Sequence, residues 1–277
     1  MNLRKEIPLK LAFLRREPRP GAAAHRRVLS RRALLGRIAA IGGAVGVAAL
    51  PVSHFLSQAY ADANNPIPGS VRDALRSAQD RTRRVLAGSR SRNGWEMENV
   101  ADDGGTVYTR PVPGTPLKGV AVRMGDVETV LVHLLRRFHY EVDALRRGDV
   151  VGWHDPSEVG RARPESNLAS GTAVRIRPGS YPRGVRGGFF PQQEVVIRDI
   201  LAELDGVVRW GGDDRTPDES LFSIDVRPGD KRLAEVAARI RGWQLEPGAG
   251  AGSRVNVLAG GRRKAARALE RRQRTAA

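Results

Sequence analysis

Two adjacent acid pairs, Asp213-Asp214 and Asp218-Glu219, are the most obvious chemical groups in this sequence. A pair of carboxylates, one protonated and one ionised, can hydrolyse a glycosidic bond from its two sides. These acids follow Gly211-Gly212 and Pro217, however, where acids ordinarily serve as solvated turn residues. A serine or cysteine nucleophile has less support. Cysteine is absent, which excludes thiolate chemistry and disulfides, and no Gly-x-Ser-x-Gly elbow occurs. Beyond residue 61 the histidines are His133, His139 and His154. His133 and His139 stand six apart on an expected helix, about 600° of rotation, and so point to opposed faces. His154-Asp155 offers two donors but has no third at ligand spacing. Each histidine is expected to be an ordinary surface or boundary residue, and no metal or other cofactor is expected.

The most informative stretch runs Ser166-Asn167-Leu168-Ala169-Ser170-Gly171-Thr172-Ala173-Val174-Arg175-Ile176. Further on come Gly206-Val207-Val208-Arg209-Trp210-Gly211-Gly212-Asp213 and Pro217-Asp218-Glu219-Ser220-Leu221-Phe222-Ser223-Ile224-Asp225. In order and spacing these pieces, from about Gly125 to Gly242, resemble the zinc-dependent D-alanyl-D-alanine carboxypeptidases and related peptidoglycan endopeptidases (peptidase M15-like). That family carries S-x-H-x-x-G-x-A-x-D and D/E-x-x-H segments, whose two His and one Asp bind zinc. Here the corresponding positions hold Leu168, Arg175 and Leu221. Leucine has no lone pair to donate, and a guanidinium both lacks one and repels a divalent cation.

The resemblance therefore implies the fold of a cell-wall peptidase without its metal and with no catalytic residue. Asp218 matches the family's general base. With no zinc to lower the pKa of a bound water from about 16 towards 7, it has no nucleophile to activate. The expected cleft comprises Arg175, Asp218, Glu219, Ser170 and Trp210, with Arg175 replacing the cation electrostatically by pairing with Asp218 or Glu219. Its planar fork could also receive the carboxylate of a peptide end. Trp210 is open to two readings, a groove wall or a buried anchor of the sheet.

Charge and targeting bound the rest. The 277 residues carry a formal charge of +17, unevenly spread. Residues 1–61 hold 11 Lys/Arg against 2 Asp/Glu, residues 241–277 hold 9 against 2, and the stretch between is nearly neutral at +1. The central part also lacks a series of aromatics for base stacking, so no nucleic acid partner is expected. Ser30-Arg31-Arg32-Ala33-Leu34-Leu35 resembles a twin-arginine export motif. An apolar run from Ile38 to Leu50 follows, short of the roughly 20 residues that span a bilayer, and Ala59-Tyr60-Ala61 suits cleavage after Ala61. Secretion or cell-envelope association is expected, with an N-terminal membrane anchor if the segment is not cut, and the export machinery as a transient partner.

The elements that must position the cleft read as follows. Ser70 to Leu86 forms a helix with a thin apolar stripe. Trp95 to Val100 and Thr106 to Val112 form a hairpin around Asp102-Asp103-Gly104-Gly105. A strong helix runs from Gly125-Asp126 through Val127, Leu131, Leu134, Phe138 and Val142 to Leu145. Strands follow at Asp149–Trp153, Ser170–Arg177, Val207–Trp210 and Leu221–Val226, with helices at Pro191–Leu204 and Arg232–Ile240. The outcome is an α+β fold, a small antiparallel sheet flanked by helices, with disordered N- and C-terminal extensions. The expected domains are a signal peptide at 1–61, a helix and hairpin extension at 62–105, a carboxypeptidase-like domain at 106–242, and a basic flexible tail at 243–277. That tail, in which Arg262 to Arg274 could form a basic helix on contact with an anionic surface, is a candidate contact for an anionic envelope polymer. The expected function is an inactive exported protein that binds peptidoglycan or a cell-wall protein. The alternatives are an active peptidoglycan peptidase with a displaced metal site and an envelope scaffold with a vestigial cleft.

Overall fold

The structure, a computed structural model, describes residues 69–276 apart from residue 161. Arg31, Arg32 and Ala61 of the expected export signal lie outside the described residues. The first helix, α1 (Gly69–Val85), is exposed along almost its whole length and buries only Val85. Its stripe is too thin to cover a core face, so it meets the body through its last turns, where Val85 is buried and Arg84 pairs with Asp103 at 2.9 Å.

Four short strands follow, and they do not pair as the turn signal at 102–105 predicts. Strand β1 (Leu86–Arg90) pairs antiparallel with β2 (Glu96–Glu98), and β3 (Val107–Arg110) pairs with β4 (Val120–Arg123). The expected hairpin between β2 and β3 is absent because side chains take the backbone's partners. The buried Glu98 carboxylate accepts from Thr106 N at 3.0 Å, Val107 N at 3.1 Å and the Thr106 hydroxyl at 2.5 Å. Asp102 accepts from Thr109 N and Oγ1. Gly105 must be glycine here, since a Cβ would lie 2.0 Å from Glu98 Oε2.

Helix α2 (Asp126–Arg137) carries the strongest apolar stripe, and Val127, Val130, Leu131, Leu134 and Leu135 are buried. It ends before Leu145, passing into one wider turn at Phe138–Val142. Leu145 N donates to His139 Nδ1 at 2.8 Å, which bends the chain away while Leu145 stays in the core.

The main sheet holds β5 (Val150–Val151), β6 (Ala173–Ile176), β7 (Val208–Trp210) and β8 (Leu221–Ile224), in the order β5-β6-β8-β7, antiparallel throughout. Its register decides which residues share a face. Val174, Ile176, Val208, Trp210, Phe222 and Ile224 belong to the core, which also takes in α2, α4 (Pro191–Glu203) and α5 (Lys231–Leu245). Ala173, Arg175, Arg209, Leu221 and Ser223 alternate with them and share the opposite face. Pro191 occupies the first turn of α4, and Asp230 caps α5 by accepting from Arg232 N at 2.9 Å.

The expected boundary at 105 separates no two bodies, because residues 92–98 are tied to the main sheet. Asn93 Nδ2 donates to Ile224 O, Trp95 Nε1 to Val226 O, and Trp153 Nε1 to Glu98 O.

The C-terminal segment also departs from expectation. Residues 260–275 form helix α6 (Gly260–Thr275), packed on α4, rather than a flexible tail. Leu269 enters the core, Ala266 and Gln273 are buried, and Gln273 Nε2 donates to Val208 O of the edge strand at 2.8 Å. Arg262 reaches Asp199 and Glu203 of α4, and Arg274 reaches Asp213. Among the described residues no helix is long and apolar enough to cross a membrane.

Candidate functional site

Leu168, Arg175 and Leu221 converge on the sheet face turned away from the core. Leu168 is in the one-turn helix α3 (Ser166–Ala169), and it packs with Ala173 of β6 and Leu221 of β8 in a small apolar cluster of its own. Arg175 stands directly opposite Leu221 across the β6–β8 pair. Three positions distant in sequence thus meet through the return of α3 onto β6 and the register of two neighbouring strands.

Arg175 Nη2 donates to Asp218 Oδ2 at 2.9 Å. The Asp218 side chain is nearly buried, while a quarter of the Arg175 side chain, 25%, is exposed. Asp218 Oδ1 accepts from the Ser220 hydroxyl at 2.5 Å, so each of its oxygens has a donor. The guanidinium is less satisfied. Among the described residues Asp218 is its one hydrogen-bond partner, and its Nε is buried without any. Leaving such a donor unpaired costs roughly 1–3 kcal/mol.

Glu219 follows Asp218 but points elsewhere. Its carboxylate accepts from the backbone N–H groups of Gly187 at 2.7 Å and Gly188 at 2.8 Å, pinning the loop before α4. A Cβ at residue 188 would lie 2.6 Å from the Tyr181 ring, so the approach needs glycine. Asp213 is paired with Arg198 and Asp214 with Arg209. All four acids therefore have separate partners, unlike a carboxyl pair arranged around one bond.

Two expected cleft residues are structural. Ser170 is fully buried, bonded to Asn167 O at 3.0 Å and to the Thr172 hydroxyl at 2.8 Å. Trp210 lies on the core face, stacked with Phe222, and its Nε1 donates to Glu219 O at 2.8 Å. Of the two readings of Trp210, the buried anchor is the one realised. Strand alternation puts Arg209, not Trp210, on the face of Arg175.

His139 and His154 stay apart from the sheet face. His139 accepts from Leu145 N, and His154 contacts Glu158 in solvent. The expectation of a surface or boundary position fails for His133, which is buried with its Nε2 3.1 Å from Glu203 and its ring beside Trp243. Among the described residues no three His, Asp or Glu side chains come together to hold a metal ion.

Two groups of residues escaped the sequence reading. One is a polar recess of about 180 Å³ beside the same sheet face, lined by Arg209, Ser223, Asp214, Asn167 and Arg92 among others. Alternation within Val208-Arg209-Trp210 was the available signal. The other is a buried charge network between α2, α4 and α6. The fully buried Arg137 bonds Glu141, Asp199 and Glu203, and Arg262 closes on the last two. Burial alone would push the Glu203 carboxyl upward, but His133, Arg137 and Arg262 outweigh it and hold its pKa at about 2. The same carboxylates raise the pKa of Arg262 despite partial burial. Charge within an apolar helix stripe, as at Arg137, is its only mark in the sequence.

Compared with family models, curated proteins and solved structures, the chain finds no match.

Proposed function

We propose that this chain is an exported, catalytically inactive relative of the D-alanyl-D-alanine carboxypeptidases that binds peptidoglycan or a protein acting on it. One observation carries the reading. The three positions that the resemblance assigns to zinc ligands meet on a single face, where two leucines touch and a guanidinium neutralises Asp218. A carboxylate left there without any cation would be a buried, unpaired charge, which costs several kcal/mol. Arg175 supplies the positive charge without Lewis-acid chemistry.

The proposed ligand contact is the free side of Arg175. With one N–H group given to Asp218 and the exposed end of the guanidinium unused, that end can take a peptide carboxylate in a charge-assisted bond. Such a bond contributes about 1.5–3 kcal/mol, or about ten- to a hundredfold in affinity.

Calorimetric titration with a D-Ala-terminated stem peptide tests this on the wild type, Arg175→Ala and Arg175→Lys. The wild type is expected to bind, Arg175→Ala to lose at least tenfold, and Arg175→Lys to recover part of the loss, since lysine neutralises Asp218 but lacks the fork. Equal affinities, or no binding by any of the three, would refute the role of Arg175. Stoichiometric zinc in the purified protein, together with D,D-peptidase activity, would establish the active-enzyme alternative instead.

A further inference from the structure

Helix α6 has two faces of different chemistry. Its inward side is saturated: Ala266, Leu269 and Gln273 are buried, and Arg262 and Glu270, with the half-exposed Arg274 at the border of the two faces, are in ion pairs. Its outward side carries Arg263, Lys264, Arg267, Arg271 and Arg272, all exposed, and none forms an ion pair among the described residues. At 100° per residue these five fall within an arc of about 180° and span about 14 Å along the axis. Five cations, set against the net +7 of residues 241–277, are thus fixed on one rigid surface of a body that is otherwise nearly neutral.

We infer that this face of α6 is a docking surface for a linear phosphate-bearing polymer. Charge complementarity selects a polyanion. Besides these cations and the ion-paired Arg274, the residues of this arc are small (Gly260, Gly261, Ala268 and Thr275), with no aromatic or large apolar side chain to enter a bilayer. It also lacks the stacking rings that hold single-stranded bases. A repeating phosphate chain needs neither, only cations at several points along its length. The helix is already formed and is clamped by Arg262, Leu269 and Gln273, so binding loses little entropy in ordering it. The surface is separate from Arg175 and does not rest on the reading of that cleft.

The test uses the whole chain and inorganic polyphosphate of about 45 units as probe, with anisotropy read across a salt series. Five phosphate contacts predict a slope of log K against log salt near −3.5, or about a hundredfold loss of affinity between 50 and 200 mM salt. Replacing the five cations together (Arg263→Gln, Lys264→Gln, Arg267→Gln, Arg271→Gln and Arg272→Gln) should abolish binding. Circular dichroism should show that helix content is kept. A matched variant on α1 (Arg72→Gln, Arg76→Gln, Arg81→Gln, Arg83→Gln and Arg84→Gln) should retain most of the affinity. Vesicles of phosphatidylglycerol and phosphatidylcholine form the lipid arm and should bind more weakly than polymer at equal phosphate. Unchanged binding by the α6 variant, equal loss by the α1 variant, preference for vesicles or no binding at all would each overturn the inference. Stem-peptide binding through Arg175 is read separately, so the two proposals fail independently.

Discussion

Glu203 offers the sharpest test of how this fold is held together. Its carboxylate joins three elements, since it faces His133 and Arg137 of α2 and Arg262 of α6 from its own place on α4. Its side chain is largely buried, so the energy of these contacts is not strongly screened by solvent. Folding lowers its pKa from 4.5 to about 2. A difference of about 2.5 units corresponds to about 3 kcal/mol of stability at neutral pH.

The sign follows from linkage. A depressed carboxylate pKa stabilises the fold at pH values above the unfolded pKa, here 4.5, and that stabilisation fades as pH falls through the folded value of about 2. The Glu203→Gln variant keeps the shape and loses the charge, so it should be less stable than wild type by about 3 kcal/mol at pH 7 and about 2 kcal/mol at pH 3.5. The gap should close near pH 2, where the wild-type carboxyl becomes neutral as well. Urea unfolding of both proteins at a series of pH values measures this directly. Two stability curves that stay parallel from pH 6 to pH 2 would show that the ion network contributes nothing through Glu203.

Two further predictions concern neighbouring features. Leu269→Ala should cost about 2–4 kcal/mol in urea unfolding, because Leu269 is 6% exposed and part of the core; a loss under 0.5 kcal/mol would mean that α6 is not docked. Asp149 lies below its ordinary value: burial opposes ionisation, but the hydrogen bonds from Arg177 and from Arg146 N prevail. Asp149→Asn should therefore destabilise the protein at pH 7, and the difference should shrink as pH falls below 3.8, as followed by thermal melting.

The parts of the fold visible in the sequence are those in which side-chain period and burial coincide. Strands β6 and β8, helix α4 with Pro191 at its start and the stripe of α2 all follow that rule, and the α+β class follows from them. Two elements were hidden because polar partners replace apolar ones. The turn at 102–105 promised a hairpin, but the Glu98 and Asp102 carboxylates occupy the N–H groups that would have begun it. Helix α6 has one large apolar residue inside, and the carboxylates that neutralise its inward arginines lie some 60 positions earlier in the chain. Composition registers charge, whereas docking depends on where the opposite charge sits.

The candidate site divides along the same line. The Arg175–Asp218 pair was legible because a cation facing acids just before the neighbouring strand has few places to go, and the two side chains are in contact at 2.9 Å. If neutralising Asp218 were the whole task of residue 175, a lysine would meet it with a single point charge and no buried Nε left unsatisfied. The guanidinium instead leaves that nitrogen without a partner and keeps the rest of its fork at the surface. A carboxylate laid against the exposed end of the guanidinium would meet its unused donors there, though not the buried Nε. This imbalance, one acid fully served beside one cation half served, supports the proposed ligand contact on this face of the sheet.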